Sequence, residues 1–236
     1  RVKYLSLLPL MLAASLPAQA GNWPHWRGPC FNGSTEEKNL PSEWSRTENV
    51  AWSAELPGVA ASTPVVWANR VYLTGTDSSR DVLQTMALDR ADGKLLWKHD
   101  VAHGIHRDQR SNFASSSPVT DGKVAVFFFG NGVVACFDPE GRPLWSRNLE
   151  KDYGPFAFQW TFSSSPLLYE GRLYFQVLQR DVAVRDRGRQ DGENESYLLA
   201  VDPQTGKTLW RHVRPSQAVA ESREAFTSPV PFDYGG

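Results

Sequence analysis

The sequence predicts an all-β protein, a partial β-propeller of four-stranded antiparallel blades. Three observations predict it. A Gly-containing turn followed by a strand with Trp recurs along the chain, at Ala87–Trp97, Cys136–Trp145 and Ala200–Trp210. A second signature alternates with it: Ser62-Thr63-Pro64, Ser116-Ser117-Pro118, Ser164-Ser165-Pro166 and Thr227-Ser228-Pro229. Almost no stretch has helical periodicity. Four-stranded units recurring at about 40–50 residues are the mark of propeller blades. A sandwich is the all-β alternative, but it does not require the same turn and the same Trp in every unit.

The first element, residues 1–20, reads as a secretory signal peptide. Arg1 and Lys3 precede an apolar run, and Ala18-Gln19-Ala20 supplies a small-x-small cleavage pattern. The run is shorter than the roughly 20 residues a membrane span needs, and Pro9 and Pro17 interrupt it. The mature chain is then expected to be exported, periplasmic or extracellular, with no membrane span. Residues 21–48 form an N-terminal extended segment. Composition agrees with a globular domain: 41% of the 236 residues are hydrophobic and 22% charged. With 25 basic against 26 acidic residues, no electrostatic surplus is left for phosphate, so no nucleic-acid partner is expected. Cys30 and Cys136 cannot supply a disulfide framework or a four-Cys zinc site; their pairing with each other stays open.

Residues 49–236 are assigned to blades. Asn49–Leu56 matches only the outer strand, D, of a unit, with Trp52 in the repeat position. Full blades follow at about 62–101, 116–149 and 164–213. In each, strand A follows the Ser-Pro, B follows a tight turn, C ends in Asp (Asp89, Asp138, Asp202) and D carries Trp. The Trp spacings are 45, 48 and 65. Each Asp suits a turn, where its carboxylate accepts backbone N–H groups two residues on.

These units resemble the pyrroloquinoline-quinone (PQQ)-like repeat, Ala-x-Asp-x-x-Thr-Gly-x-x-x-Trp. Residues 200–210 match every fixed position, 87–97 miss only the Thr, and 136–145 carry a one-residue deletion. Trp23–Pro29, Ala114–Pro118 and Glu221–Phe226 resemble secreted propeller proteins of the PQQ-binding-like type. The resemblance implies that Trp52, Trp97, Trp145 and Trp210 dock neighbouring blades. It also implies a larger ring: about half of a seven- or eight-bladed propeller is expected here, incomplete at the C-terminus. A ring of that size needs roughly 350–400 residues.

Connector lengths pick out a face. The A–B and C–D turns are tight, whereas the D–A connectors (100–115, 148–163, 212–227) and one B–C connector (178–196) are long. These alternate in an up-and-down blade, so all the long connectors share one face, and long loops on a rigid scaffold carry function. Candidate ligand or partner residues there are His103, His106, Gln159, Trp160, Arg223 and Glu224, with Trp160 as a stacking surface and Arg223/Glu224 as polar anchors. His103 and His106 have metal-ligand spacing but no legible third ligand. Asp191–Glu195 offers oxygen ligands for calcium without the order of a calcium loop; interleaved arginines favour a solvated mixed-charge loop.

No GxSxG nucleophile elbow is present. Quinone-dependent dehydrogenases resembling this repeat hold PQQ with adjacent cysteines, a stacking Trp and a calcium site. Neither a Cys-Cys pair nor a calcium cluster is legible here. The resulting expectation is a non-catalytic binding or scaffold protein, without cofactor, that takes an unknown protein or small molecule on its looped face. A PQQ- and Ca2+-dependent oxidoreductase is the alternative.

Overall fold

The computed structural model describes residues 21–232 and 234; the expected signal peptide lies outside the described residues. Three four-stranded antiparallel sheets follow one another along the chain, each in sequential strand order. The first holds β1 (Val65–Trp67), β2 (Arg70–Asp77), β3 (Val82–Asp89) and β4 (Leu95–His103). The second holds β5 (Val119–Thr120), β6 (Ala125–Phe128), β7 (Val133–Phe137) and β8 (Pro143–Asn148). The third holds β9 (Leu167–Tyr169), β10 (Arg172–Val177), β11 (Tyr197–Val201) and β12 (Thr208–Val213). They are part of a β-propeller and close no ring among the described residues. Among those residues, no helix is long and apolar enough to cross a membrane.

Burial falls from the middle strands outward. β3 is buried at every position but its last, whereas the outermost strands β4 and β12 are mostly exposed. Middle strands are covered on both faces: β3 packs Leu83 and Ala87 toward the second sheet and Met86 and Leu88 toward Trp52 and Ala54. One core cluster joins the first and second sheets through Tyr72, Phe127 and Phe137. Another joins the second and third through Phe128, Phe175 and Tyr197. The one α-helix among the described residues, α1 (Leu149–Tyr153), was not expected; Asn148 caps it by accepting the Lys151 N–H.

At the rim, each seam is closed by an indole lying on a glycine turn. Trp52 Nε1 donates to the Arg90 carbonyl at 2.8 Å, Trp97 to Pro139 at 3.1 Å and Trp145 to Pro203 at 2.9 Å. The matching glycines, Gly93, Gly141 and Gly206, have φ of 73°, 84° and 70°. A Cβ on any of them would come within 2.4–2.6 Å of the indole. Glycine is needed twice over there, for the left-handed backbone and for the approach of the ring. Asp89, Asp138 and Asp202 cap these turns, accepting N–H groups of Ala91, Arg142 and Thr205. Trp210 has no such turn against it among the described residues: it is 42% exposed and meets only Tyr174, at 6.0 Å. Residues 49–56, expected as a D strand, carry Trp52 into its dock without forming a ladder.

At the axis, the Ser-Pro signatures form a relay. The Thr63 N–H donates to Ser117 Oγ, the Ser117 N–H to Ser165 Oγ and the Ser165 N–H to Ser228 Oγ, at 2.9, 2.9 and 2.8 Å. Each residue before the proline therefore accepts from its counterpart one blade earlier.

The N-terminal segment lies along the inner strands. Trp23 and Val66 exchange both backbone hydrogen bonds at 2.8 Å, and the Thr120 N–H donates to the Pro24 carbonyl at 3.0 Å. Residues 23–31 thus form a plug against the channel wall, spanning the A strands of two blades. Cys30 is exposed, Cys136 is buried in β7, and both are free thiols; burial, with the charge of Asp121, raises the Cys136 thiol to about 12.

Candidate functional site at the channel mouth

The long connectors gather on one face. They run from β4 to β5, from β8 to β9 and beyond β12, together with the 178–196 loop between β10 and β11. Where they meet the axis they enclose a cavity of about 370 Å³. Its walls are Trp26 from the plug, Arg110 and Ser111 from the first connector, and Ser163, Ser165 and Ser228 from the A-strand starts. Ser165 and Ser228 spend a lone pair on the relay and keep their own O–H for donation. Ser116 Oγ, in the Ser-Pro signature of the second blade, is buried with no hydrogen-bond partner among the described residues. Hydroxyl donors, a guanidinium and an indole face are the equipment for a planar anion.

Carboxylates hold the surrounding loops in register. Asp108 accepts the Thr161 hydroxyl at 2.7 Å and the Ser111 N–H at 2.8 Å, so it ties the first connector to the second. Burial opposes its ionisation, but the hydrogen bonds from Thr161, Arg110 and Ser111 outweigh it and bring the carboxyl down to about 2. Glu224 accepts the Gln159 N–H at 2.8 Å and pairs with Arg180, tying the third connector to the second. Trp160, stapled from both sides, lies under the Arg110 guanidinium at 5.5 Å.

The residues singled out from sequence are therefore spread over different tasks. Gln159 contributes its backbone, and Trp160 stacks with Arg110. Arg223 is buried and pairs with Glu193, and the Glu224 side chain is 3% exposed and occupied by Arg180. Neither presents a charge to the mouth. His103 is exposed at the end of β4. His106 lies against Phe113, with Nε2 2.6 Å from the Arg187 guanidinium. Burial, then the Arg187 charge, lowers its pKa. Among the described residues, no three His, Cys, Asp or Glu side chains converge as for a metal. Both glutamates of the 178–196 loop pair with arginines instead, Glu193 with Arg223 and Glu195 with Arg211, and Asp181 accepts the Ala220 N–H. Arg110, Trp26 and the serine relay were missed. The Ser-Pro period was visible in the sequence, but nothing in it marks whose N–H each hydroxyl accepts.

The sequence profile of the family described as outer membrane protein assembly factor BamB matches residues 35–191. Among curated proteins, the chain is 28% identical over 225 residues to quinohemoprotein alcohol dehydrogenase ADH-IIG of Pseudomonas putida, covering 85% of this chain and 28% of that protein. It is 23% identical over 169 residues to polyvinylalcohol dehydrogenase of a Pseudomonas species, covering 69% and 24%. The chain thus spans about a quarter of the length of these relatives. Among solved structures, europium-containing methanol dehydrogenase superposes with a TM-score of 0.53 at 16% identity, over 82% of this chain and 32% of that one; this likeness shows the fold.

These relatives correct the expectation from sequence. A non-catalytic binding or scaffold protein without cofactor is overturned by matches that are dehydrogenases, one of them named a quinohemoprotein and another carrying quinone in its name. The physical reason for the misreading is local. Adjacent cysteines and a calcium cluster were taken as the signature, whereas the groups present at the mouth are a guanidinium and hydroxyls. Those groups fit the planar, carboxylate-bearing part of PQQ; no cation cluster stands beside them among the described residues.

Proposed function

Since the chain belongs to the PQQ-like repeat family described as outer membrane protein assembly factor BamB, we propose that its blades are part of a PQQ-dependent oxidoreductase acting on alcohols. The observation that carries this reading is the 370 Å³ cavity at the axis, with Arg110, Trp26 and the Ser165 and Ser228 hydroxyls on its walls. PQQ, when bound, supplies an ortho-quinone that accepts two electrons from an alcohol carbon. Arg110 would pair with a carboxylate of the cofactor, the Ser165 and Ser228 hydroxyls would donate to its oxygens, and the Trp26 indole would offer an apolar plane. The Asp108 and Glu224 staples hold the connectors so that these donors keep their positions. The leader-like residues 1–20 support an exported location.

The test is a titration of the full chain with PQQ, followed by tryptophan fluorescence, together with dye-linked oxidation of primary alcohols. Saturable quenching is expected. Arg110→Met should weaken it about tenfold, the loss of one charge-assisted contact, while thermal stability stays unchanged. Absence of saturable quenching would overturn the proposal.

A further inference from the structure

The opposite end of the channel holds a second cavity that the quinone reading leaves unused. It measures about 200 Å³ and lies between the plug and the tight A–B turns of the second and third blades. That is room for about six waters at about 30 Å³ each, or for one compact organic group. Its walls are aromatic. His25 stacks on Phe31 with centroids 4.3 Å apart, and Phe31 meets Tyr169 edge-on at 5.6 Å. Trp67 adds an indole, seated over Gly122, where a Cβ would fall 2.1 Å from its Nε1. Two carboxylates, Asp121 and Glu170, reach this cavity from the A–B turns, and no Lys or Arg lines it. Asp121 gives Oδ1 to the N–H groups of Lys123 and Val124, so its other oxygen remains for a ligand.

His25 adds a directional demand. Its Nδ1 accepts the Arg27 N–H at 3.1 Å, so the neutral ring carries its proton on Nε2. The side chain is 5% exposed, and Nε2 has no partner. Burial, then the Arg27 charge, lowers the ring's pKa to about 4, which keeps it neutral at pH 7. A buried N–H without an acceptor is costly, and it marks where a ligand oxygen would be welcome. A metal ion does not answer these features, because no three metal-ligating side chains converge among the described residues.

We propose that this cavity binds a small organic cation that also carries an oxygen acceptor, its ammonium group among the Phe31, Trp67 and Tyr169 rings beside Asp121 and Glu170, and its oxygen at His25 Nε2. Ring faces attract ammonium groups through their quadrupoles, most strongly where water is excluded. The carboxylates set the sign of the charge, and the imidazole N–H distinguishes an amino alcohol or betaine from a bare alkylammonium. The site lies at the other end of the channel from Arg110, so it stands or falls independently of the quinone.

Choline is the probe, titrated calorimetrically into the full chain at neutral pH. Saturable binding is expected. The uncharged isostere 3,3-dimethyl-1-butanol should bind about tenfold more weakly, and tetramethylammonium, which lacks the hydroxyl, about threefold more weakly. Glu170→Gln, on an exposed turn, should weaken choline about threefold and leave PQQ quenching unchanged. His25→Phe should erase the preference for choline over tetramethylammonium. No saturable choline binding, or equal binding of the uncharged isostere, would overturn the proposal; equal binding of tetramethylammonium would overturn the role of His25. The ligand comparisons need no variant to fold.

Discussion

At the rim, the first and second blades meet through the Trp97 indole, wedged among Tyr72, Phe127 and Phe137 and bonded to the Pro139 carbonyl. At the axis, the same two blades meet through small polar contacts: Ser117 accepts the Thr63 N–H, and the Thr74 hydroxyl donates to the Ala114 carbonyl. The repeat thus builds each seam twice, from opposite materials. The rim contact removes a large apolar area from water: an indole buries about 150–250 Å², an upper bound of roughly 4–6 kcal/mol at about 25 cal/mol per Å². The axial contact contributes little energy but leaves hydroxyl protons facing the channel. The apolar burial is concentrated at the rim, and the polar donors sit at the axis.

The comparison is most directly broken at Trp97. Trp97→Ala should cost about 3–5 kcal/mol in denaturant unfolding, by cavity formation at a seam that cannot collapse. Trp210→Ala, the same substitution at the undocked copy, should cost about 1 kcal/mol or less. Equal losses at both positions would show that the glycine turn is not what gives the indole its value.

Acid tests the axial side. His25 falls from 6.5 to about 4 on folding, and Asp108 from 3.8 to about 2. In both cases the folded state binds fewer protons, so their stabilisation is complete above the unfolded pKa and is lost as pH falls through the folded one. Between pH 6.5 and 4 the plug histidine should account for a loss of about 2–3 kcal/mol. Denaturation midpoints across that range check it, and His25→Phe should flatten the dependence there. The Asp108 share should appear only below about pH 4.

A smaller effect than that of the plug histidine is expected in the relay. Ser165→Ala removes one acceptor and leaves the Ser117 N–H unpaired, costing about 1–2 kcal/mol. A null effect in thermal unfolding would mean that water replaces the hydroxyl and that the axial seam contributes no stability of its own.

How much of this was legible follows from the same contrast. The rim was readable because its partners recur together: an Asp, a Gly and a Trp at fixed spacing within each unit, with the indole and turn types both diagnostic. The Ser-Pro period was readable as a pattern, but its hydrogen bonds run between blades, from Ser117 to Ser165, and no local rule pairs them. Arg223 and Glu224 looked like an exposed pair because they are neighbours in sequence. Folding sends them to different partners, Glu193 and Arg180, under long connectors whose paths the residues alone do not set. The plug occurs once, so no repeat could reveal that Trp23 would pair with Val66 or that Trp26 would reach the mouth.

The plug's two anchor points also order events in time. Ribosomes deliver the chain from its first residue, yet Trp23 finds Val66 on one blade and Pro24 finds Thr120 on the next. The stretch around Trp23 therefore settles only once a pair of sheets stands side by side to receive it.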